Sequence, residues 1–215
     1  MLDENIIASL AQRGVVTDTF RRLSSEKKHR IYRTAVRLFG EYGYDGLPVD
    51  RLCREAGISK GSFFQYFPTK THLLELAVLI FDGYLAGWVA ELKAGERSSL
   101  ARERLLYLYR SLVVNSKLHP SEERFYHFLT SGLHHAGIAL EGVDIERHFH
   151  QYIAEIIGRG EETGEIRGDF DVEVTGHLVS LIIAALVGHR YVGHPAPHRK
   201  TEEYLISFLF DGIKA

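Results

Sequence analysis

The sequence of 215 residues contains one cysteine, one tryptophan, one methionine and only five prolines. Because Cys53 is alone, no disulfide can form within the chain, and a reducing compartment fits such a composition. Hydrophobic residues make up 45% of the sequence. That fraction is sufficient for a hydrophobic core in one large domain or two smaller ones.

Long hydrophobic runs are also missing. The longest one extends from Leu178 to Val187 and is interrupted by Ser180, whereas a membrane-spanning helix needs about 20 apolar residues. The N-terminus begins with an acidic Met1-Leu2-Asp3-Glu4 stretch and has no apolar signal-peptide core. We therefore expect a cytoplasmic protein that does not contact the membrane.

Recognisable catalytic motifs are absent from the sequence. There is no Gly-x-Ser-x-Gly nucleophile elbow, no phosphate-binding glycine loop and no Rossmann fingerprint. We therefore expect no enzymatic activity and no cofactor. A helical enzyme, with catalytic residues brought together only by the fold, stays as a remote alternative.

Twelve histidines raise the alternative of a metal-sensing regulator. The nearest pairs in sequence are His134 with His135 and His148 with His150, but side chains at such spacings diverge on a helix. Paired cysteines and a His-Glu-x-x-His motif are absent too. We therefore favour solvated or capping histidines over a metal site.

Charge is divided unequally along the chain. Residues 21–72 contain eleven Lys/Arg and five Asp/Glu, a net charge of +6, against −8 for the remaining residues and −2 overall. A basic segment joined to an acidic remainder is typical of a module that binds a polyanion. Chance clustering on a solvated surface would give the same balance, so charge alone does not decide.

The apolar residues follow a helical period. Between residues 31 and 42 they form a single stripe, and long stripes recur over 73–88 and 172–192. No alternating strand pattern and no hairpin signal stands out. The sequence therefore predicts an all-α fold of about nine helices.

Residues 48–67 have the spacing of a helix-turn-helix. Gly57 ends a short helix, and Ser59 is a suitable N-cap for the next one. In such a motif the first residues of the second helix face the base edges of the DNA major groove. The residues at that position supply charge, close backbone approach and a hydroxyl: Lys60, Gly61 and Ser62.

An extended string resembles the DNA-binding segment of the TetR family of bacterial transcriptional regulators: Ala56-Gly57-Ile58-Ser59-Lys60-Gly61-Ser62-Phe63-Phe64-Gln65-Tyr66-Phe67-Pro68-Thr69-Lys70. The flanking Ala35-Val36-Arg37-Leu38-Phe39, Gly43-Tyr44 and Leu73-Leu74 extend the resemblance to about residues 27–80. It implies a three-helix helix-turn-helix domain over 24–72 and a helical effector-binding and dimerisation domain over 73–215. Residues 1–23 are expected to be an N-terminal arm or a short helix.

The resemblance further implies which residues meet DNA: Val49, Ser59, Lys60, Gly61, Ser62, Phe64, Tyr66 and Lys70. Lys70 is expected to pair with a phosphate. Phe64 departs from the family, which commonly has tyrosine there, so it cannot donate a hydrogen bond to phosphate. Contact with a thymine methyl and inward packing are the two roles open to Phe64.

A TetR-type protein is expected to be a homodimer that binds a palindromic DNA operator, commonly as a repressor, and is released by a small-molecule effector. The expected dimer interface consists of Leu178, Leu181, Ile182, Ala185, Tyr204, Leu205, Phe208 and Leu209. The candidate pocket residues are Trp88, Tyr107, Phe125, Tyr126, Leu129, His177 and Ile183, although each of them suits an ordinary core position. An apolar and aromatic lining predicts a hydrophobic or amphipathic effector.

Overall fold

The computed structural model describes residues 4–132, 144–189, 207, 211 and 212. All regular elements in this part of the chain are helices, which confirms the predicted all-α fold. In chain order they are α1 (Glu4–Gln12), α2 (Asp18–Arg21), α3 (Ser25–Gly46), α4 (Val49–Ala56), α5 (Lys60–Tyr66), α6 (Lys70–Gly95), α7 (Ala101–Leu118), α8 (Pro120–His127), α9 (Arg147–Glu162) and α10 (Val172–His189). A π-helical turn, Phe128–Gly132, continues α8.

The described residues form two compact units. Unit 1 comprises residues 4–85, 119–132, 144 and 145, and unit 2 comprises 86–118, 146–189, 207, 211 and 212. The boundary after Leu85 therefore falls inside α6, whereas the resemblance implies a division between residues 72 and 73. Unit 1 contains the helix-turn-helix together with α8.

Aromatic packing explains why α8 belongs with the helix-turn-helix. The ring of Phe128 stacks on Phe39 of α3 with centroids 6.0 Å apart, and Phe125 meets Phe81 edge-on at 5.2 Å. A Cβ added at Gly40 of α3 would lie 2.8 Å from the backbone nitrogen of Phe125. The glycine thus lets α8 approach the backbone of α3 directly.

The N-terminal segment is helical and packed. Ile7, Leu10 and Phe20 are at most 1% exposed, and Gly14, with φ +76°, turns the chain between α1 and α2. Of the two forms expected for residues 1–23, the described part therefore has the helical one, and it contributes to the core of unit 1.

Unit 2 is built from α7, α9, α10 and the C-terminal part of α6. A Cβ at Gly176 of α10 would lie 3.2 Å from Ala154 of α9, so these two helices pack closely. Arg104, whose side chain is 3% exposed, pairs with Glu96 at 2.9 Å, and the Tyr152 hydroxyl donates to the same carboxylate. Unit 2 thus contains an ion pair between Arg104 and Glu96 in which the carboxylate also accepts a hydrogen bond from Tyr152.

One described helix is long and apolar enough, by length and composition, to cross a membrane. It is α6, with a mean hydropathy of 1.7 over its most apolar 18-residue window, half of which is buried inside the protein. Glu75, Asp82 and Glu91 interrupt its apolar residues, so the sequence has no long unbroken apolar run in this helix. Buried core helices meet the same criterion, so this is weak evidence for a membrane span.

Candidate nucleic-acid interface

The turn between α4 and α5 is held by a Schellman motif. Gly57 has left-handed φ and ψ angles of 65° and 40°. Its N–H donates to the Arg54 carbonyl at 3.3 Å, and the Ile58 N–H donates to the Cys53 carbonyl at 2.9 Å. Arg30 of α3 adds a hydrogen bond from Nε to the Ala56 carbonyl at 2.8 Å. These contacts fix the direction in which α5 leaves the turn.

The start of α5 has the predicted cap. Ser59 Oγ accepts from the Ser62 N–H at 3.0 Å, and the two hydroxyls lie 2.9 Å apart. Ser59, Lys60 and Gly61 are exposed, and Ser62 is half-buried. The N-terminal end of α5 therefore presents a short polar surface that carries the positive end of the helix dipole.

Adjacent phenylalanines of α5 take opposite directions. Phe63 is fully buried, as is Phe67, with ring centroids 5.6 Å apart. Phe64 is 52% exposed. Of the two roles open to Phe64, inward packing is thus ruled out, and its ring lies on the outer face of α5.

The placement of Tyr66 disagrees with its expected contact with DNA. Its side chain faces inward at 4% exposure, and its hydroxyl lies 3.1 Å from Nζ of Lys27. The ring of Phe20 meets it with centroids 6.1 Å apart. Tyr66 therefore joins α5 to the segments before it, because neighbours outside the motif cover the ring.

Lys60 lies beside an acidic residue of the preceding helix. Its Nζ is 2.9 Å from Oδ1 of Asp50, and both side chains are well exposed. The hydrogen bond to Asp50 raises the pKa of Lys60, so the ammonium stays charged. Since the ion pair is open to solvent, its contribution to stability is small.

Lys70, at the first position of α6, binds the C-terminal end of α3 and the residue that follows it. Its Nζ donates to the carbonyls of Tyr44 at 2.6 Å and Leu47 at 3.4 Å, and it lies 4.3 Å from the centre of the Tyr44 ring. No carboxylate of the described residues lies within ion-pair distance of it. The C-terminal end of α3 is therefore tied to the start of α6 by a cation that no described carboxylate neutralises.

Val49 is half-buried at the first position of α4, as predicted from the sequence. Further along α4, Glu55 accepts from Arg51 Nε at 2.8 Å and from Arg37 of α3. These two hydrogen bonds lower the pKa of Glu55. Through Arg37, this network joins the C-terminal part of α4 to α3.

Unit 2 contains an open groove with a volume of about 410 Å³ between α6 and α7. The lining residues are Trp88, Glu91, Leu92, Tyr107, Arg110, Ser111, Val114, Asn115 and Leu118. Two of the seven pocket residues expected from the sequence, Trp88 and Tyr107, belong to it. Most of the exposed lining surface is therefore apolar, with Glu91 and Arg110 as its charged groups.

The other expected pocket residues lie elsewhere. Phe125 and Leu129 are buried in the core of unit 1, and Tyr126 is half-buried in the same unit. In unit 2, Ile183 is 2% exposed, while His177 is exposed and its ring centroid lies 4.8 Å from that of His150. Sequence periodicity alone could not separate core from groove at these positions.

The expected dimer residues are described only on α10. Leu178, Leu181 and Ala185 are exposed, and Ile182 is half-buried. Val174, which sequence reasoning missed, is 58% exposed and continues the same face. The remaining expected residues lie outside the described part of the chain: Tyr204, Leu205, Phe208 and Leu209.

The metal alternative gains no support from the described residues. They contain no group of three or more His, Cys, Asp or Glu side chains that could hold an ion. His134 and His135 lie outside the described ranges. The ring of His150 on α9 contacts the ring of His177 on α10. Cys53 is buried in α4, and burial raises the pKa of its thiol.

The helix-turn-helix with its exposed α5 N-terminus can be compared with known proteins. A family profile described as bacterial regulatory proteins, tetR family, matches residues 31–77. Over this segment, about a fifth of its length, the chain is similar to the tetR family. The match covers α4, α5 and the adjoining parts of α3 and α6, which contain all eight residues expected to meet DNA.

Curated relatives are similar to this chain over part of its length. The HTH-type transcriptional regulator HbdR of Aromatoleum sp. (strain CIB) is 38% identical over 73 residues, which cover 34% of this chain and 31% of HbdR. The uncharacterized HTH-type transcriptional regulator YerO of Bacillus subtilis (strain 168) is 42% identical over 59 residues, covering 27% of this chain and 20% of YerO. The similarity thus spans about a fifth to a third of these relatives.

The fold is shared over a longer range. A TetR family transcriptional regulator from Chloroflexus aurantiacus J-10-FL superimposes with a TM-score of 0.66, over 93% of this chain and 99% of that one. The sequence identity is 19%, so the likeness concerns the fold.

Proposed function

We propose that this protein is a cytoplasmic transcriptional regulator of the TetR family, whose α5 enters the major groove of an operator. The exposed N-terminal end of α5, which presents Lys60 while Phe63 and Phe67 anchor the other face, carries the proposal. Free backbone N–H groups, the helix dipole and an ammonium all attract phosphate at such an end. The outward ring of Phe64 would add an apolar contact to the base edges, such as a thymine methyl.

Gly61 supports this orientation. A Cβ there would come no closer than 3.8 Å to any protein atom outside the helix backbone. Nothing inside the protein therefore requires glycine, although glycine within a helix costs roughly 0.5–1 kcal/mol relative to alanine. Close approach of an external surface such as the DNA backbone accounts for a glycine at this position.

A homodimer is supported by the exposed face of α10. Val174, Leu178 and Leu181 are 58%, 54% and 44% exposed, and Ala185 continues the row at spacings of four, three and four residues. Such a stripe of exposed apolar residues is typical of a helix that packs on a partner. Two copies of the protein would read two half-sites of a palindrome, spaced about 34–36 Å or a multiple of that apart.

The α6–α7 groove is the proposed effector site. Its volume of about 410 Å³ falls in the range of small-molecule sites, about 300–1,000 Å³. Trp88, Tyr107 and Val114 offer an apolar wall. Arg110 forms no ion pair with the described residues, so its guanidinium is available to a ligand. The groove therefore suits an amphipathic anion with an apolar body, such as a carboxylate.

Effector binding would act on DNA binding through α6. The groove uses Trp88, Glu91 and Leu92 of this helix, and the first part of the same helix belongs to unit 1 with the helix-turn-helix. A ligand that prefers one conformation of α6 would change the operator affinity by a coupling free energy, typically about 1–3 kcal/mol. Release from the operator, and hence relief of repression, is the outcome that we propose.

DNA binding is tested by titrating the protein with the DNA upstream of its own gene, over a series of salt concentrations. We expect sequence-preferring binding. The logarithm of the binding constant should fall linearly with the logarithm of the salt concentration, because Lys and Arg displace counterions from phosphates. A randomised fragment of equal length is the control. The proposed function would be contradicted if the upstream DNA bound no more tightly than the randomised fragment, and if genomic fragments recovered with the protein also bound no more tightly than it.

The effector site is tested with decanoate and decanol as probes of equal chain length. We expect the carboxylate to bind more tightly than the alcohol, and Arg110→Gln to abolish that difference. Lys117→Gln, which removes an exposed cation from the same helix outside the groove, is the matched control. Equal binding of the two probes to the unaltered protein would exclude an Arg110-anchored anion.

A further inference from the structure

The segment that precedes α3 closes the C-terminal end of α5. The last four carbonyls of any α-helix have no partner within it. In α5, the Gln65 carbonyl accepts from Thr17 Oγ1 at 2.5 Å, and the Tyr66 carbonyl accepts from the Thr17 N–H at 3.1 Å. One residue, 48 positions away in sequence, therefore satisfies two of these four groups.

The Thr17 hydroxyl also begins α2. As the N-cap of that helix, Oγ1 accepts from the Phe20 N–H at 3.3 Å while it donates to α5. The ring of Phe20 is fully buried, with its centroid 5.0 Å from that of Phe67 and 6.1 Å from that of Tyr66. The hydroxyl and the ring thus join the start of α2 to the end of α5.

The segment is itself fixed to the rest of unit 1. Glu4 of α1 lies 2.9 Å from Nζ of Lys28 on α3, a lysine whose side chain is 3% exposed. Arg13 lies 2.5 Å from Glu75 on α6. Because it is held by both of these helices, the segment can act as a rigid support for α5 rather than follow it.

Support of this kind matters for a helix as short as α5. A helix of seven residues is marginal alone, so its direction depends on tertiary contacts. A recognition element has to be held to within about 0.5 Å of its productive geometry. The family profile matches residues 31–77, so the support comes from residues outside the matched segment.

We propose that Thr17 is a positioning residue for operator recognition: through its hydrogen bonds to Gln65 and Tyr66, α1 and α2 set the direction of α5. The inference rests on the proposed DNA-binding function. Thr17 itself does not touch the DNA. It acts through α5, and it therefore affects discrimination between operator and random DNA more than attraction to phosphate.

The test compares Thr17→Val with Thr17→Ser. Valine keeps the shape and removes the hydroxyl, whereas serine keeps the hydroxyl. We expect Thr17→Val to lower the ratio of operator affinity to random-DNA affinity by about five- to tenfold, the size of the effect of one lost hydrogen bond. Thr17→Ser should restore the ratio to within about twofold of the unaltered protein, since its hydroxyl can donate to the same carbonyl.

Thr163→Val is the matched control. Thr163 Oγ1 also donates to carbonyls at a helix end, those of Arg159 and Gly160, but in unit 2. We expect this variant to leave the operator ratio unchanged even where it lowers the melting temperature. All titrations are made well below the melting temperature of the least stable variant, so that unfolding does not enter the ratio.

Amide hydrogen exchange gives a second measurement, independent of DNA. Faster exchange in residues 63–67 of Thr17→Val, with unchanged exchange in α9, is the expected result. A Thr17→Val protein that melts earlier yet keeps the full operator ratio would overturn the inference and leave Thr17 a stabilising residue only. If the unaltered protein itself shows no operator preference, the proposed function fails, and the positioning role fails with it.

Discussion

Phe63 and Phe64 are neighbours in sequence whose rings meet edge to face, with centroids 5.1 Å apart and planes at 88°, yet one ring is fully buried and the other is 52% exposed. The buried ring anchors α5, and the exposed one occupies the position where the TetR family commonly has tyrosine. A large apolar ring on the outer face of a proposed reading helix suggests a contact with DNA.

Replacing Phe64 should weaken operator binding without unfolding the protein. We expect Phe64→Ala to cost about 1 kcal/mol of operator affinity, at the low end of a specific base contact. Phe64→Tyr should bind at least as tightly, because it adds a hydroxyl that can reach phosphate. Fluorescence anisotropy measures both, with Leu100→Ala, at a side chain 50% exposed between α6 and α7, as the control. Wild-type affinity of Phe64→Ala would argue against the contact.

The ion pair between Lys60 and Asp50 predicts opposite effects of its two partners on DNA binding. Lys60→Gln should weaken binding and reduce the salt slope by about one, as expected for a lost phosphate contact. Asp50→Asn should strengthen binding, because it removes a negative charge 2.9 Å from the ammonium. Salt-dependent titrations of both variants check this. Weaker binding by Asp50→Asn would show that the carboxylate positions Lys60 for DNA instead of competing for it.

Placing a charge on the exposed face of α10 should dissociate the proposed dimer. We expect Leu181→Glu to shift the protein toward the monomer and to weaken operator binding, since a buried unpaired carboxylate is costly. Sedimentation velocity over a range of concentrations measures the change. Leu118→Glu, an equally drastic substitution at an exposed leucine of α7, should leave the association state unaltered. An unchanged dimer in Leu181→Glu would move the interface away from this face.

Gly40 should tolerate no side chain. A Cβ there would lie 2.8 Å from the Phe125 nitrogen and 3.0 Å from the backbone of Arg124, and backbone atoms cannot move aside easily. We expect Gly40→Ala to lower the free energy of unfolding by about 1–3 kcal/mol, as overpacking does. Gly87→Ala, in a helix with nothing within 4 Å of the added Cβ, should instead stabilise. Urea denaturation of the two variants distinguishes a local clash from a general effect of alanine.

Local features were predictable from the sequence, and features that depend on distant partners were not. The Ser59 cap and the Gly57 turn follow from two or three neighbouring residues, so both were expected correctly. Tyr66 looked like an outward residue of the motif, and its burial depends on Phe20, 46 positions earlier in the sequence. Nothing in the spacing of residues 48–67 reports on such a neighbour.

The contact of Thr17 with α5 also depends on a partner distant in sequence and was therefore not predictable. A threonine followed by an aspartate and, two positions later, an aromatic residue is a recognisable start of a helix. That local pattern could have predicted α2, but not that the hydroxyl also reaches the end of α5. The groove between α6 and α7 was partly predictable, because Trp88 and Tyr107 are large aromatic residues, whereas Phe125 looks the same in sequence and is core.

The buried side chain of Lys28 has its counter-charge on an exposed residue in the first turn of α1. Glu4 is 63% exposed at its side chain, yet it accepts from a lysine of which only 3% is exposed. A substitution that removed the Glu4 carboxylate would leave a positive charge in the interior of unit 1 without its counter-charge. A change at a solvent-exposed position would in this way reach the segment on which α5 rests.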